Sequence, residues 1–340
     1  MTAKIIAIAF LLSISSLASC AEITQHDKGI LVEKLKREIR SNYILAEHVD
    51  AIDETLNELT HSVPMKKIST RQEMAQLLTE SLHRFDKHFG VQWRSSEQAG
   101  ERKGGEDWFA KLGRRNSGFD KVEILDGNIG YISFWGFDNV NDDSRARVKT
   151  AMAMVADTDA IIFDLRNNGG GSGDMVRLIS SYLLNGKVHL NSFYWKPSNI
   201  TTEFWTLEDI DGKRRLEVPV YVLTSAQTFS AAEEFAYNLK HLRRAKIVGE
   251  ITKGGANPWQ FFDLGHGFRA AIPIAQAVNP ITKTNWEHVG VQPDVKATSA
   301  DARNVAYRMA LSTLKESVQN PLQLEEISKK LDELSGVPGA

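Results

Sequence analysis

The sequence predicts an α/β fold preceded by a small all-helical unit, and three observations predict it. Between residues 129 and 249, short apolar runs of strand length alternate with stretches of helical period. Ahead of them, residues 28–84 carry helical periodicity alone. The composition is that of an ordinary globular protein, with 42% hydrophobic and 25% charged residues in 340. That balance excludes wholesale disorder and fibrous repeats.

The chain opens with Lys4 and a run of apolar or small residues from Ile5 to Leu17. The run is too short and too early for an ordinary transmembrane helix and has the form of a secretory leader. It ends in Leu17-Ala18-Ser19-Cys20, which resembles a bacterial lipoprotein cleavage site. Residues 1–19 are then a leader and Cys20, the single cysteine, is the lipidated first residue of the mature chain. The other reading is ordinary cleavage after Ala21, with Ser19 and Ala21 as the small residues. The expectation is an exported, periplasmic protein, anchored to the outer membrane through lipidated Cys20 without spanning it.

Apolar Ile30, Leu31, Leu35 and Ile39, then Val49, Ile52, Leu56 and Leu59, fall at helical spacing. Pro64 ends that region, and Ser69 to Arg84 is a third helix, so residues 22–94 form a helical N-terminal domain. Residues 95–120, rich in Ser, Gly, Lys, Arg and Glu, read as a linker or lid. The α/β core then runs over 121–300. Ile129–Phe134 is a strand and Ala146–Val155 a helix. Ala160–Leu165 is a buried strand running into Gly169-Gly170-Gly171, followed by a helix over Asp174–Leu184. Val218–Leu223 and Lys246–Gly249 are further strands, with the helix Ala231–Leu242 between them. Such alternation implies a mostly parallel sheet. Residues 301–340 supply closing helices.

Charge narrows the function. With 41 basic and 43 acidic residues there is no field for gripping nucleic acid. One cysteine excludes an internal disulfide and a cysteine-rich zinc site. The nine histidines show no His-x-x-x-His pair with a Glu, and no phosphate loop ends in Gly-Lys-Ser/Thr. No metal and no cofactor is expected.

Four segments carry chemistry. In Thr228-Phe229-Ser230-Ala231-Ala232-Glu233, a buried strand gives way to a helix at Ser230. A serine there can attack a carbonyl beside free helix N–H groups, although Ser-x-x-Glu is also a capping box. In Asp164-Leu165-Arg166-Asn167-Asn168-Gly169-Gly170-Gly171, consecutive glycines allow a close backbone approach or a plain flexible turn. In Asp86-Lys87-His88, the histidine suits either a base or a structural role. In Asn285-Trp286-Glu287-His288, the glutamate either orients a base or is a solvated loop carboxylate.

Taken in order, Asp-Leu-Arg-x-Asn-x-Gly-Gly, Thr-Phe-Ser-Ala-Ala-Glu, Val-Gly-Glu and Gly-Val-x-Pro-Asp resemble the tail-specific (carboxyl-terminal processing) serine peptidases. Gly254-Gly255-Ala256-Asn257-Pro258, Ala277-Val278-Asn279-Pro280, Asn42-Tyr43 and Asp86-Lys87-His88 resemble the branch of the interphotoreceptor retinoid-binding protein and the tricorn core. The resemblance covers residues 28–296. It implies a core of stacked β-β-α units, like the crotonase and Clp peptidase cores, and a peptidase acting on protein or peptide substrate. It implies Ser230 as nucleophile and the N–H groups of Ala231 with Gly169 or Gly170 as oxyanion hole. It also implies His88 as base, oriented by Glu287.

Departures matter in two respects, the base and substrate delivery. Family members with a Ser–Lys pair place the lysine twenty-five residues after the serine, where this chain has Gly255; Lys253 stands two residues away. The tricorn pattern has a serine beside its histidine, and here that position is Lys87. Only 40 residues separate His88 from Ile129, too few for the PDZ domain by which many relatives capture free C-termini, so substrate would be read by the cleft. The competing expectations are a non-catalytic binder of an apolar ligand such as a retinoid or fatty acid, and an inactive partner protein using its helical unit as an interface. The binder's pocket would draw on Phe134, Trp135, Phe137, Phe193, Tyr194, Trp195 and Trp259.

Overall fold

The computed structural model describes residues 22–94 and 108–335. The expected leader, Cys20 and the first part of the expected linker lie outside them. No helix among the described residues is long and apolar enough to cross a membrane.

The N-terminal unit is built from helices α1 (Gln25–Asn42), α2 (Val49–His61), α3 (Val63–Lys67) and α4 (Arg71–Leu82). Thr24 and Thr70 begin α1 and α4 with capping boxes, which satisfy N–H groups that the helices leave unpaired. Leu35, Ile39, Ile52, Leu56, Leu78 and Leu82 are fully buried where these helices meet. The unit is not all-helical, because strand β1 (Gly90–Trp93) follows α4.

Helix α5 (Trp108–Arg114) occupies part of the expected linker. Strands β2 (Phe119–Leu125) and β3 (Ile129–Phe134) then pair antiparallel and lead into helix α6 (Asp142–Met154), one β-β-α unit. Strand β4 (Ala160–Asp164), helix α7 (Gly173–Ser181), strands β5 (His189–Trp195) and β6 (Ile200–Trp205), strand β7 (Val220–Thr224), helix α8 (Ala231–His241) and strand β8 (Lys246–Gly249) follow. Strands β9 (Trp259–Gly265), β10 (Phe268–Pro273), β11 (Ala275–Val278) and β12 (Val295–Lys296) precede the closing helices α9 (Ala302–Lys315) and α10 (Pro321–Leu334).

The central sheet has the order β12-β8-β7-β4-β3-β2 and is parallel except for β2. Every residue of β4 and β7 is buried, as expected for parallel strands covered on both faces. Side-chain alternation assigns the faces. Ile161, Phe163, Val222 and Ile247 pack with α6, α7 and α8. Ile162, Tyr221, Leu223 and Val248 pack with α9 and α10.

Two small antiparallel sheets complete the fold, β1-β10-β9 and β11-β5-β6. The first ties the N-terminal unit to the core. Val91 pairs with Ala270, and Leu264, Phe268, Ala270 and Ile272 join the cluster built by α1, α2 and α4. The helical unit therefore shares its apolar interior with strands from the far end of the chain.

Candidate active site

Two loops at the carboxyl ends of adjacent parallel strands, β4 and β7, form the centre, the usual place for a site in such a sheet. They are laced together. Ser225 Oγ donates to the Arg166 carbonyl at 2.5 Å, Thr228 Oγ1 to the Leu165 carbonyl at 2.8 Å, and Phe229 N to the Asn168 carbonyl at 3.0 Å. Asp164 and Arg166 form an ion pair at 2.6 Å, and Tyr131 donates to the same carboxylate at 2.5 Å. The Asp-Leu-Arg motif thus acts as a strut beneath the loops. Glu250 does the same from β8, accepting from Ala226 N and Ser299 N at 3.2 and 2.8 Å.

Ser230 stands directly before α8 with φ 56° and ψ −121°. A non-glycine residue there carries strain of about 1–3 kcal/mol. Two features hold it. The Glu233 carboxylate accepts from Ser230 N at 2.8 Å, and Gly170 lies so close that a Cβ on it would come within 2.7 Å of Ser230 Cβ. Ala231 is the first residue of α8, so its N–H has no helical acceptor. The two expected glycine donors are already engaged: Gly169 N donates to the Trp135 carbonyl, just past β3, at 3.1 Å, and Gly170 N to Asn168 Oδ1 within its own loop at 2.9 Å.

His88 comes from the turn between α4 and β1. Tyr43 fixes that turn by donating to the Phe85 carbonyl at 3.1 Å and packing on Phe89. The sheet pairing of β1 with β10 then carries the turn to the core. His88 Nε2 lies 3.1 Å from Ser230 Oγ. The two residues are 142 positions apart in sequence and meet here.

Behind the imidazole are two carboxyls. Asp86 Oδ1 is 3.6 Å from His88 Nδ1 and accepts from His88 N at 2.8 Å; Oδ2 accepts from Asn257 Nδ2 at 2.9 Å. Glu287 accepts from Ala256 N at 2.5 Å through Oε2, while Oε1 is buried without a hydrogen bond, 4.0 Å from His288 Nε2. Asp86, His88 and Glu287 each present a polar atom within 4.8 Å of the others. Burial, with the Asp86 carboxyl beside it, pushes Glu287 up to about 8, because two buried like charges at this range are costly. Burial and the neighbouring Asp86 thus disfavour the charged form of Glu287. Sequence reasoning missed Asp86, although it quoted Asp86-Lys87-His88; spacing gave no sign that the residue two before the histidine folds back onto its ring.

Lys253 does not take the base position. Its ammonium lies 4.5 Å from the centroid of the Phe229 ring, and Phe229 is itself packed on His88 with centroids 4.5 Å apart.

Ser230 and His88 open onto a cleft of about 610 Å³ with aromatic walls that include Trp108, Phe193, Trp195, Phe204 and Trp259. Of the aromatics expected in a pocket, Phe134 and Phe137 are instead buried in the core. Trp135 packs edge-on against Trp108, and Tyr194 turns its hydroxyl to Asn199. Trp108 belongs to α5, so part of the expected linker forms a wall of this cleft.

Residues 128–297 match the profile of peptidase family S41. Carboxyl-terminal-processing peptidase 2, chloroplastic, of Arabidopsis thaliana is 32% identical over 168 residues, covering 49% of this chain and 31% of that protein. The chain thus spans about a third of the length of that curated relative. The fold is shared with a candidate peptidase from Parabacteroides merdae, at TM-score 0.62 and 20% identity, over 86% of this chain and 99% of the other. It is also shared with the photosystem II D1 C-terminal processing protease, at TM-score 0.51 and 16% identity, over 82% and 94% of the two chains. With half of its length matched by that profile, the chain belongs to peptidase family S41.

Proposed function

We propose that the protein is a serine endopeptidase that cleaves protein or peptide substrates with Ser230 as nucleophile and His88 as general base. The observation that carries this reading is the 3.1 Å approach of His88 Nε2 to Ser230 Oγ at the mouth of the cleft. Ser230 Oγ attacks the scissile carbonyl carbon while His88 Nε2 takes its proton. Collapse of the tetrahedral intermediate breaks the C–N bond, and the imidazolium returns the proton to the leaving amine. Water, deprotonated by the same histidine, then hydrolyses the acyl-enzyme. The Ala231 N–H is the donor placed for the oxyanion. Gly169 and Gly170 join it once their internal bonds lengthen in the loaded site.

The carboxyl behind the base differs from the expectation. Asp86 is the nearer neighbour of Nδ1, and burial beside the Asp86 carboxyl disfavours the charged form of Glu287. In this reading Asp86 stabilises the imidazolium, and Glu287 supports the pair. The histidine base is the feature that aligns the chain with the tricorn-like branch. Substrate is read by the cleft without a PDZ domain, and export with lipidation at Cys20 places the site outside the cytoplasm. Metabolic labelling with an alkyne fatty acid, lost in Cys20→Ser, tests the anchor.

The central test is labelling of the purified chain with a fluorescent fluorophosphonate. The expected result is strong labelling, abolished in Ser230→Ala and reduced at least about 100-fold in His88→Ala. A folded protein that resists the probe while a fatty acid saturably quenches its tryptophan fluorescence would instead support the apolar-ligand reading, which the aromatic walls favour.

A further inference from the structure

Among the aromatic walls of the cleft stands one buried carboxyl, Glu234. It lies four residues after Ser230 on the same helix, about 6 Å further along its axis, and its N–H donates to the Ser230 carbonyl at 2.9 Å. Ser230 and Glu234 both line the cleft, the hydroxyl beside His88 and the carboxyl buried. Gly173 faces it and leaves the space before it open: a Cβ there would sit 3.6 Å from Glu234 Oε2 and 3.5 Å from the Phe204 ring. Glu234 is 4% exposed, and the amides of Asn191 and Asn238 stand against it.

The catalytic scheme does not use this group, and its burial is costly. Among the described residues, the charged group acting on it is Asp174, of the same sign. Burial pushes its carboxyl up to about 8. A buried carboxyl lining the cleft, with a like charge nearby, has no cation acting on it among the described residues. Phe193 and Phe204, packed edge to face with centroids 5.2 Å apart, form an aromatic wall of the same cleft, and such a wall suits a guanidinium better than a compact ammonium.

We propose that Glu234 is the specificity residue of the cleft, and that the peptidase prefers to cleave after a basic residue, arginine above lysine, whose side chain runs along the aromatic wall of the cleft to pair with this carboxylate. Binding sets a charge-assisted hydrogen-bonded pair at a carboxyl that otherwise has only neutral amides against it. Because the desolvation of both ions has to be repaid, geometry decides the gain. Citrulline, with the shape of arginine and no charge, therefore separates charge recognition from mere fit.

This inference rests on the peptidase reading, and the test keeps the two apart. The full chain is treated with the unselective fluorophosphonate and with peptidyl diphenyl phosphonates carrying arginine, lysine, citrulline or leucine at the reacting position. The expected result is labelling by the fluorophosphonate, with arginine inactivating about 100-fold faster than citrulline or leucine. In Glu234→Gln the arginine-to-leucine ratio falls at least about tenfold. Gly173→Val, which fills the space before the carboxyl, lowers the same ratio and serves where Glu234→Gln fails to fold. Labelling by the fluorophosphonate with equal rates for arginine, citrulline and leucine overturns the specificity while leaving the peptidase intact. Absence of any labelling overturns both.

Discussion

A Cβ on Gly255 would lie 2.9 Å from His88 Cε1 and 2.2 Å from the Phe229 ring. Gly255 stands where relatives with a Ser–Lys pair carry their lysine. The space that a lysine stem would need is thus filled by the imidazole and by Phe229. Two chemical solutions to activating the serine exclude one another at this point. Gly255→Ala is expected to shift His88 off Ser230 and to lower kcat/KM about 100-fold, the usual cost of an ångström of misplacement. Gly255→Lys is expected to be inactive rather than converted. Near-wild-type turnover by Gly255→Ala, read with a peptide substrate, would remove the steric argument.

Asp86 and Glu287 both stand behind the same imidazole, and Asp86 is the nearer to Nδ1. Asp86→Asn replaces the acceptor nearest Nδ1 and also disturbs the bond to His88 N. Its kcat should fall by about 10³, with little change in KM. Glu287→Gln puts a neutral group in place of a carboxyl whose charged form is disfavoured and should cost about tenfold or less. Steady-state kinetics of the two variants side by side decide the matter. A larger loss in Glu287→Gln would restore Glu287 as the orienting residue.

Much of the fold was legible in the sequence, and less of the site. β4, β7, β8 and α8 sit within a few residues of their expected bounds, because buried parallel strands are continuous apolar runs and Ser230 marks a helix start. β9 and β10 were missed: β10 pairs with β1, which lies 179 positions away in the pairing Val91 with Ala270. Sequence cannot state that register. The same pairing explains why His88 could be placed beside Ser230 only through the family resemblance. It is sheet hydrogen bonding between distant segments, not local pattern, that delivers the histidine.

The buried carboxyls predict how stability varies with pH. Glu287 and Glu234 are both raised from an ordinary 4.5 to about 8 in the folded chain. Between those values the folded state holds protons that the unfolded chain has released. Stability is therefore full below about pH 4.5 as far as these groups go, and declines as pH rises through about 8. The part of the loss that falls between pH 6 and pH 9 should be on the order of a few kcal/mol. Urea unfolding at pH 6 and pH 9 measures it, and the double variant Glu287→Gln, Glu234→Gln should show a flatter dependence. A chain equally stable at both values would mean that the two carboxyls ionise in the fold without strain.

Glu233 is the keystone between nucleophile and base. Its carboxylate accepts from Ser230 N at 2.8 Å, Gly255 N at 3.0 Å, Gly254 N at 2.6 Å and Thr252 Oγ1 at 2.5 Å. All four partners donate, and burial alone would push the carboxyl up against them. Glu233→Gln retains one acceptor oxygen and turns an amide NH₂ against N–H donors that have no other buried partner. A stability loss of about 3 kcal/mol is expected, from unsatisfied buried groups. Activity should fall further than stability, because the same bonds hold Ser230 in its strained backbone and fix the Gly254–Gly255 segment against His88. A urea midpoint shift together with at least a 100-fold slower fluorophosphonate reaction, both measured where the variant is fully folded, is the expected outcome. A destabilised variant that labels at the wild-type rate would show that the strain at Ser230 is set by the Gly170 loop alone.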